Sequence, residues 1–273
     1  MDEFPDMKGF SYRNIKYIRQ WHLFYVKRQQ LVALLTQIPW GHNIYIVTKC
    51  NTVEEAEFYV YKTIENGWSR SILTHQIESK LYERNGKALT NFSHTLPKPQ
   101  SDLANELIKD PYSFDFLTLT ENFREKELEL ALLDNITKFL LELGSGFAFM
   151  GKQKKLKVGD RDFYIDLLFY HTQMHCYVVV ELKVVDFEPE FAGKLNFYIK
   201  AVDEQIKTDK DELTIGILLC KSKDKMIVEY ALSDIHKPIG VSEYQLTHQL
   251  PDKLKSVLPS IEDIEAELTK DDM

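Results

Sequence analysis

Between Phe147 and Val185 the chain changes its repeat from helical to extended, and that change constrains the fold more than any other feature. Ahead of it, TLTENFREKELELALLDNITKFLLELGSGF repeats apolar residues every three or four positions, the mark of an amphipathic helix. Thr118 with Glu121 three residues on gives its expected entry, and Gly144 or Gly146 its end. Then FAFMGKQ and KKLKV, a Gly159-Asp160 turn, RDFYIDLLFY, the short turn HTQMH and CYVVVELKVV read as antiparallel strands. Pro189 opens EFAGKLNFYIKAVDEQIK, with Phe191, Leu195, Tyr198, Val202 and Ile206 along one side, and TIGILLC is a continuous apolar run suited to a buried strand. Helix, meander, crossover helix and returning strand form an α/β core.

Upstream the signals are helical. Ser11 is placed to cap YRNIKYIRQW, with Ile15, Ile18 and Trp21 on one face. QQLVALLTQI stops before Pro39, TVEEAEFYVYKTIENG runs from a Thr cap to Gly67, and SRSILTHQIESKLYER spaces Leu73, Ile77 and Leu81 by four. The stretch KALTNFSHTLPKPQSDLA carries breakers, so the expected division is a helical domain at 1–100 and an α/β domain at 101–273.

The 273 residues include 44% apolar and 28% charged types, which is globular composition, without an apolar run long enough to span a bilayer or the plan of a signal peptide. A cytoplasmic protein with no membrane partner is expected. Cys50, Cys176 and Cys220 are far apart and read as small buried hydrophobes. The net charge of −8 argues against nucleic acid until its distribution is considered. From Met7 to Val53 there is no Asp or Glu, while Lys8, Arg13, Lys16, Arg19, Lys27, Arg28 and Lys49 are basic; the closing IEDIEAELTKDDM is acidic. Arg13, Lys16 and Arg19, with Arg70 on a later helix, are candidate nucleic-acid contacts, the bland alternative being a solvated face.

Two charges interrupt the buried strand CYVVVELKVV. Glu181 and Lys183 point the same way by strand alternation, and the preceding strand carries its own lone Asp166. A short turn makes these strands antiparallel, so the three side chains converge. Burying two carboxylates without compensation costs several kcal/mol, and Lys183 as salt-bridge partner leaves one negative charge unmatched. A divalent cation resolves the excess: Mg²⁺ accepts carboxylate oxygens, a backbone carbonyl such as that of Leu182, and water. Bound, it acidifies water and stabilises charge developing on a phosphoryl oxygen, with Lys183 orienting the water or holding the phosphate. The bare Glu-x-Lys triplet means nothing, because roughly two are expected by chance from composition and Glu78-Ser79-Lys80 is another. The apolar context and the lone Asp166 carry the argument, against a structural ion pair at a sheet edge.

Ile165-Asp166 followed by Glu181-Leu182-Lys183 resembles the PD-(D/E)XK nuclease signature, with Ile165 in place of the proline that names it. More closely, FLLELGSGFAF, DRDFYIDLLFYH, CYVVVELKV, FAGKLNFY, ILLCKSKDKMIVEYAL and KPIGVSEYQL resemble the YhcG-like family of that superfamily. GWSRSILTHQIESKLYERNGKALTNF resembles the family's N-terminal domain, which is similar to a winged-helix or helix-turn-helix DNA-binding unit, and the chain reads as starting partway into it. The resemblance implies a restriction-endonuclease-like αβββαβ core behind a small helical domain. It also implies metal ligation by Asp166 and Glu181, Lys183 as catalytic lysine, Mg²⁺ or Mn²⁺ as cofactor and DNA as partner. Such folds often add a Glu from the first core helix. Leu128, Leu132, Ile136, Phe139 and Leu143 define that helix's apolar face, and a 100° step puts Glu129 inside the arc and Glu127 outside. Glu129 is the candidate and Glu142 the alternative, while a helix-dipole role is the competing explanation.

Weaker signals are Gln153 and Tyr198, which read first as packing or hydrogen-bonding residues, and Lys194, Lys200 and Lys207, which could meet a phosphate backbone. His171 and His175 flank a turn without metal-ligand geometry, GDRD reads as a hairpin turn, and no Gly-rich phosphate loop occurs. The expected function is a Mg²⁺-dependent endonuclease acting on DNA, with RNA not separated from DNA by the sequence. Two other readings stand beside it: a catalytically inactive nucleic-acid-binding or assembly module in a defence or mobile-element complex, and a homo-oligomeric scaffold.

Overall fold

A computed structural model describes residues 11–120, 122–246 and 249–250. Lys8, Glu121 and the acidic IEDIEAELTKDDM, which carry expectations above, lie outside the described residues. The chain divides into two compact units, one ending at Glu83 and the other beginning at Arg84.

The first unit is helical: α1 (Tyr12–Tyr25), α2 (Val32–Leu35), α3 (Trp40–Lys49), α4 (Val53–Asn66), α5 (Arg70–Glu78) and the short α6 (Leu81–Arg84), whose last residue belongs to the second unit. Ser11 caps α1 by accepting from Asn14 N, Thr52 caps α4 by accepting from Glu55 N, and Gly67 closes α4 at φ +60°. Tyr25, Leu35, Ile46, Ala56, Tyr59, Leu73, Ile77 and Leu81 form the core. Two expectations fail here. SRSILTHQIESKLYER is not continuous, because Lys80 takes a left-handed φ of +56° and breaks it into α5 and α6. Of the expected α1 face, Ile15 and Ile18 remain 48% and 39% exposed, and Trp21 alone of the three makes the docking contacts, donating to Asn43 Oδ1 and packing edge-on to Trp40.

The second unit starts earlier than the breaker-rich boundary at 100. β1 (Leu89–Thr90) pairs with β8 (Ile239–Gln245) through Leu89↔Val241 and Thr90↔Gly240, and Phe92 is fully buried in this unit's core. Those partners are distant in sequence, so composition does not reveal them. Between β1 and the main sheet run α7 (Phe92–Thr95), α8 (Gln100–Leu107), β2 (Tyr112–Ser113), β3 (Leu119–Thr120), α9 (Glu125–Asp134) and α10 (Ile136–Leu143). The expected single helix from Thr118 is therefore two, entered later. Leu119–Thr120 is a strand paired with β9 (Gln249–Leu250), and the helix starts where the Glu127 carboxylate accepts from Arg124 N at 2.8 Å. Asn135 interrupts it, its amide donating back to Ala131 O.

Then follow β4 (Phe147–Val158), β5 (Arg161–His171), β6 (Cys176–Leu182), α11 (Pro189–Gln205), β7 (Ile215–Cys220), α12 (Lys225–Ser233) and β8. The sheet order is β1-β8-β7-β6-β5-β4, with β2 pairing β8 beside it. The meander β4-β5-β6 is antiparallel and β6-β7-β8 is parallel, which is the αβββαβ arrangement of a mixed sheet. Helices cover both faces. Leu128, Leu132, Phe139 and Leu143 pack on Leu167, Phe169, Val178 and Val180, while Leu195, Ile199, Val202 and Val228 pack on Leu168, Val179, Leu218 and Val241. A Cβ at Gly216 would lie 2.7 Å from Ile199 Cδ1, so glycine lets α11 approach β7. The cysteines are free and buried, and no described helix is long and apolar enough to cross a membrane.

Candidate active site

The β5–β6 ladder places the charged residues. Its pairs run from His171↔Cys176 to Leu167↔Val180 and stop there, so the next positions, Asp166 and Glu181, stand opposite each other just past the last pair. They remain linked: Asp166 N donates to Glu181 Oε1 at 3.4 Å, and Leu182 N donates to Asp166 Oδ2 at 3.0 Å. Glu181 is 1% exposed. Burial, and after it the charge of Asp166, pushes its carboxyl up to about 7.

The lysines divide differently from expectation. Lys194 of α11, not Lys183, pairs with Glu181, its Nζ donating to Oε2 at 2.9 Å over the Tyr198 ring. Burial alone would lower the Lys194 pKa, but Glu181 holds it above the ordinary lysine value. Lys183 follows the last residue of β6, its N still donating to Leu219 O of β7 at 2.8 Å; its Nζ donates to Glu125 Oε2 of α9 at 2.9 Å and to Leu182 O at 2.9 Å. Lys183 is 6% exposed, lies over the Phe191 ring, and its carbonyl accepts from the Tyr244 hydroxyl.

A third carboxylate comes from α9. Glu129, 7% exposed, accepts from Gln153 Nε2 at 2.5 Å, and the same amide lies 3.4 Å from Asp166 Oδ1. Burial first, then Asp166's charge, raises the Glu129 carboxyl against the opposing Gln153 bond. Gln153 reaches both because its backbone departs from extended geometry inside β4: φ is +44°, and it faces Asp166 at the one position missing from the ladder between Lys152↔Leu167 and Lys154↔Ile165. Glu142 lies in a separate buried network, accepting from Arg84 Nη1 at 2.6 Å and Ser113 N at 2.8 Å, with Lys109 Nζ 3.9 Å away. His171 is fully buried and its Nδ1 accepts from Met174 N.

The structure thus brings together Asp166, Glu181, Glu129, Gln153, Lys183 and Lys194, and does not bring Glu142 to them. Nothing in the sequence marks Tyr244, and only a place in the first turn of a later-starting helix would mark Glu125. Among the described residues no group of three His, Cys, Asp or Glu side chains is placed to hold a metal ion by itself. The donor set fits a hydrated hard cation nonetheless: two opposed carboxylates, one pushed toward neutrality by its burial and then by the charge of the other, and the adjoining Leu182 carbonyl. In the first unit Arg13, Lys16 and Arg19 are exposed on α1, with Arg13 donating to the Tyr17 hydroxyl and Lys16 lying 4.4 Å from the Tyr12 ring centre. Arg70, exposed, begins α5.

Residues 105–259 match the family described as the YhcG PDDEXK nuclease domain, and residues 1–84 match the DUF1016 N-terminal domain. The chain is similar to "Putative nuclease YhcG" of Escherichia coli (strain K12), 30% identical over 278 residues, covering 90% of this chain and 73% of the relative. Among solved structures it overlaps a repair endonuclease from Pyrococcus abyssi (18% identity, 48% of this chain and 50% of that chain, TM-score 0.31). It also overlaps EndoMS in a complex with double-stranded DNA (20% identity, 52% of this chain and 51% of that chain, TM-score 0.33), so it spans about half the length of those chains.

Proposed function

The chain belongs to the YhcG family of PDDEXK nucleases, and from that footing we propose that it hydrolyses phosphodiester bonds in DNA with a divalent cation, Mg²⁺ or Mn²⁺. The observation that carries this reading is the opposition of Asp166 and buried Glu181 at the end of the β5–β6 ladder, with Lys183 fixed beside them. Asp166, Glu181 and the Leu182 carbonyl would hold the cation, with Glu129 joining through water or directly. When bound, such an ion supplies Lewis-acid stabilisation of charge on a phosphoryl oxygen and a more acidic water.

The chain's own groups do the rest. Glu125 and the Leu182 carbonyl accept two of the three N–H donors of the Lys183 ammonium, leaving one to orient a water or hold a phosphoryl oxygen. Gln153 fixes Glu129 against Asp166, so the helical and strand carboxylates act as one unit. Lys194, 42% exposed in its side chain, can exchange Glu181 for a phosphate when a cation takes over the carboxylate's charge. In the first unit, Arg13, Lys16, Arg19 and Arg70 offer exposed cations to the DNA backbone. A cytoplasmic protein fits this role. Plasmid nicking in Mg²⁺ or Mn²⁺ is the test; full activity in Asp166→Ala or Lys183→Ala would reject it.

One observation favours a second reading, a nucleic-acid-binding or assembly module without hydrolysis: Lys194 already neutralises Glu181. Calorimetry separates the two, since a module of that kind takes up no Mn²⁺ at millimolar concentration.

A further inference from the structure

β5 pairs with β6 only from Leu167 onward, so between Lys152 and Ile165 the β4–β5 hairpin runs on as a two-stranded ribbon beyond the sheet. The ribbon leaves the sheet at Gln153 and Asp166, that is, at the candidate active site. Its charge opposes that of the whole chain: Lys152, Lys154, Lys155, Lys157 and Arg161 stand against Asp160 and Asp162, while the protein carries −8. All four lysines are exposed. Among the described residues no carboxylate lies within ion-pair distance of Lys152, Lys154 or Lys157; Lys155 has Asp162 at 2.8 Å, an exposed pair that a phosphate can replace at little cost.

The ribbon is also held firmly. Leu156 is buried, Phe163 packs on Phe197 of α11 with centroids 4.7 Å apart, and Gln205 donates to Lys157 O at 3.1 Å. One face of the ribbon is thus fixed to α11 through Leu156 and the Lys157 carbonyl, and by strand alternation the Lys155 and Lys157 side chains stand on the opposite, open face. Lys152 to Lys157 spans about 17 Å at strand rise, a length over which duplex DNA carries about ten phosphates on its two strands. Lysines on an edge strand can serve merely to prevent aggregation, but a single charge suffices for that. Four in six positions, running away from the catalytic carboxylates, match a phosphate track. A single strand would call for successive stacking rings, and among the described ribbon residues Tyr164 is the one large aromatic left half-exposed.

We infer that the β4–β5 ribbon is a DNA-binding arm that tracks the phosphates of duplex DNA flanking the bond to be cut. It rests on the nuclease reading and specifies where that substrate lies. The test is fluorescence anisotropy of the full chain with a 20-base-pair duplex in EDTA, across a salt series. Replacing Lys154, Lys155 and Lys157 with Ala should weaken binding roughly 10- to 100-fold near 0.1 M salt and make the log–log salt slope shallower by about 2 to 3. Replacing the same three with Arg should restore the slope. An equal charge change at exposed Lys138, Lys210 and Lys225 should leave the slope in place. An unchanged slope in the alanine variant, including one that aggregates, overturns the proposal. So does an equal loss in the control, or a loss on single-stranded DNA as large as on duplex. Nicking in Mn²⁺ is scored separately: ribbon-dependent binding without cleavage sinks the nuclease reading alone, and cleavage with ribbon-independent binding sinks the arm alone.

Discussion

The second unit buries two clusters of charge, and they are built on opposite balances. Around Glu142, 2% exposed, stand Arg84 at 2.6 Å and Lys109 at 3.9 Å, two cations for one carboxylate, with Ser113 N adding a hydrogen bond. Around Glu181, 1% exposed, stand Asp166, Glu129 and, through Lys183, Glu125: four carboxylates for the two cations Lys183 and Lys194. The first cluster is balanced toward positive charge, although Glu142 Oε2 is buried without a hydrogen-bond partner, and it ties the start of the unit to α10. The second keeps a negative excess, and there burial together with the Asp166 charge raises the Glu181 and Glu129 carboxyls toward neutrality. On the proposed reading, burial without enough cations, rather than burial alone, marks a functional carboxylate.

The comparison can be broken most sharply by substitution. Asp166→Ala should reduce cleavage at least about 10³-fold (about 4 kcal/mol in the barrier), while thermal melting stays level or rises because a repulsive charge is gone. Glu142→Gln should show the reverse pattern. It removes the buried negative charge that faces Arg84 and Lys109, so chemical denaturation should lose about 3–5 kcal/mol, with turnover per folded molecule nearly unchanged. If the two substitutions gave the same profile, the distinction between the clusters would be wrong.

The next effect is on pH. The Glu181 carboxyl titrates near 7 when folded against an ordinary 4.5, so the folded state binds more protons between those values. Its contribution is therefore present at low pH and lost as pH rises through that window, on the order of 3 kcal/mol in all. Denaturation of the metal-free protein from pH 5 to 8 should show this decline, and Glu181→Gln should flatten it. Saturating Mn²⁺ should raise the unfolding free energy by about 2.7 kcal/mol at a hundredfold excess over Kd, a gain lost in Asp166→Ala and kept in Glu142→Gln. The smallest expected change is Gln153→Ala: about tenfold slower cleavage, about 1.4 kcal/mol, with little loss of stability because the left-handed backbone is already exposed.

Which parts could be read from sequence follows from how local their causes are. Asp166 and Glu181 were legible because each is a lone charge in an apolar strand, and the short turn between the strands sets their register. The αβββαβ order was legible for the same reason. Glu125 was not, since its role depends on the helix starting at Arg124, and that start depends on Leu119–Thr120 pairing with β9 far along the chain. Lys194's bond to Glu181 depends on how α11 packs across the sheet, and Gln153's reach depends on one left-handed φ that nothing in GKQKK announces. The early start of the second unit has a similar origin, in the pairing of Leu89–Thr90 with β8.

The central claim is that Asp166 and Glu181 share a cation because their cluster lacks positive charge. Calorimetric titration of the full chain with Mn²⁺ tests it most directly. The account predicts a saturable site that disappears in Asp166→Ala and in Glu181→Gln and survives in Glu142→Gln; no heat in the unmodified protein, or the same heat in all four, would contradict it.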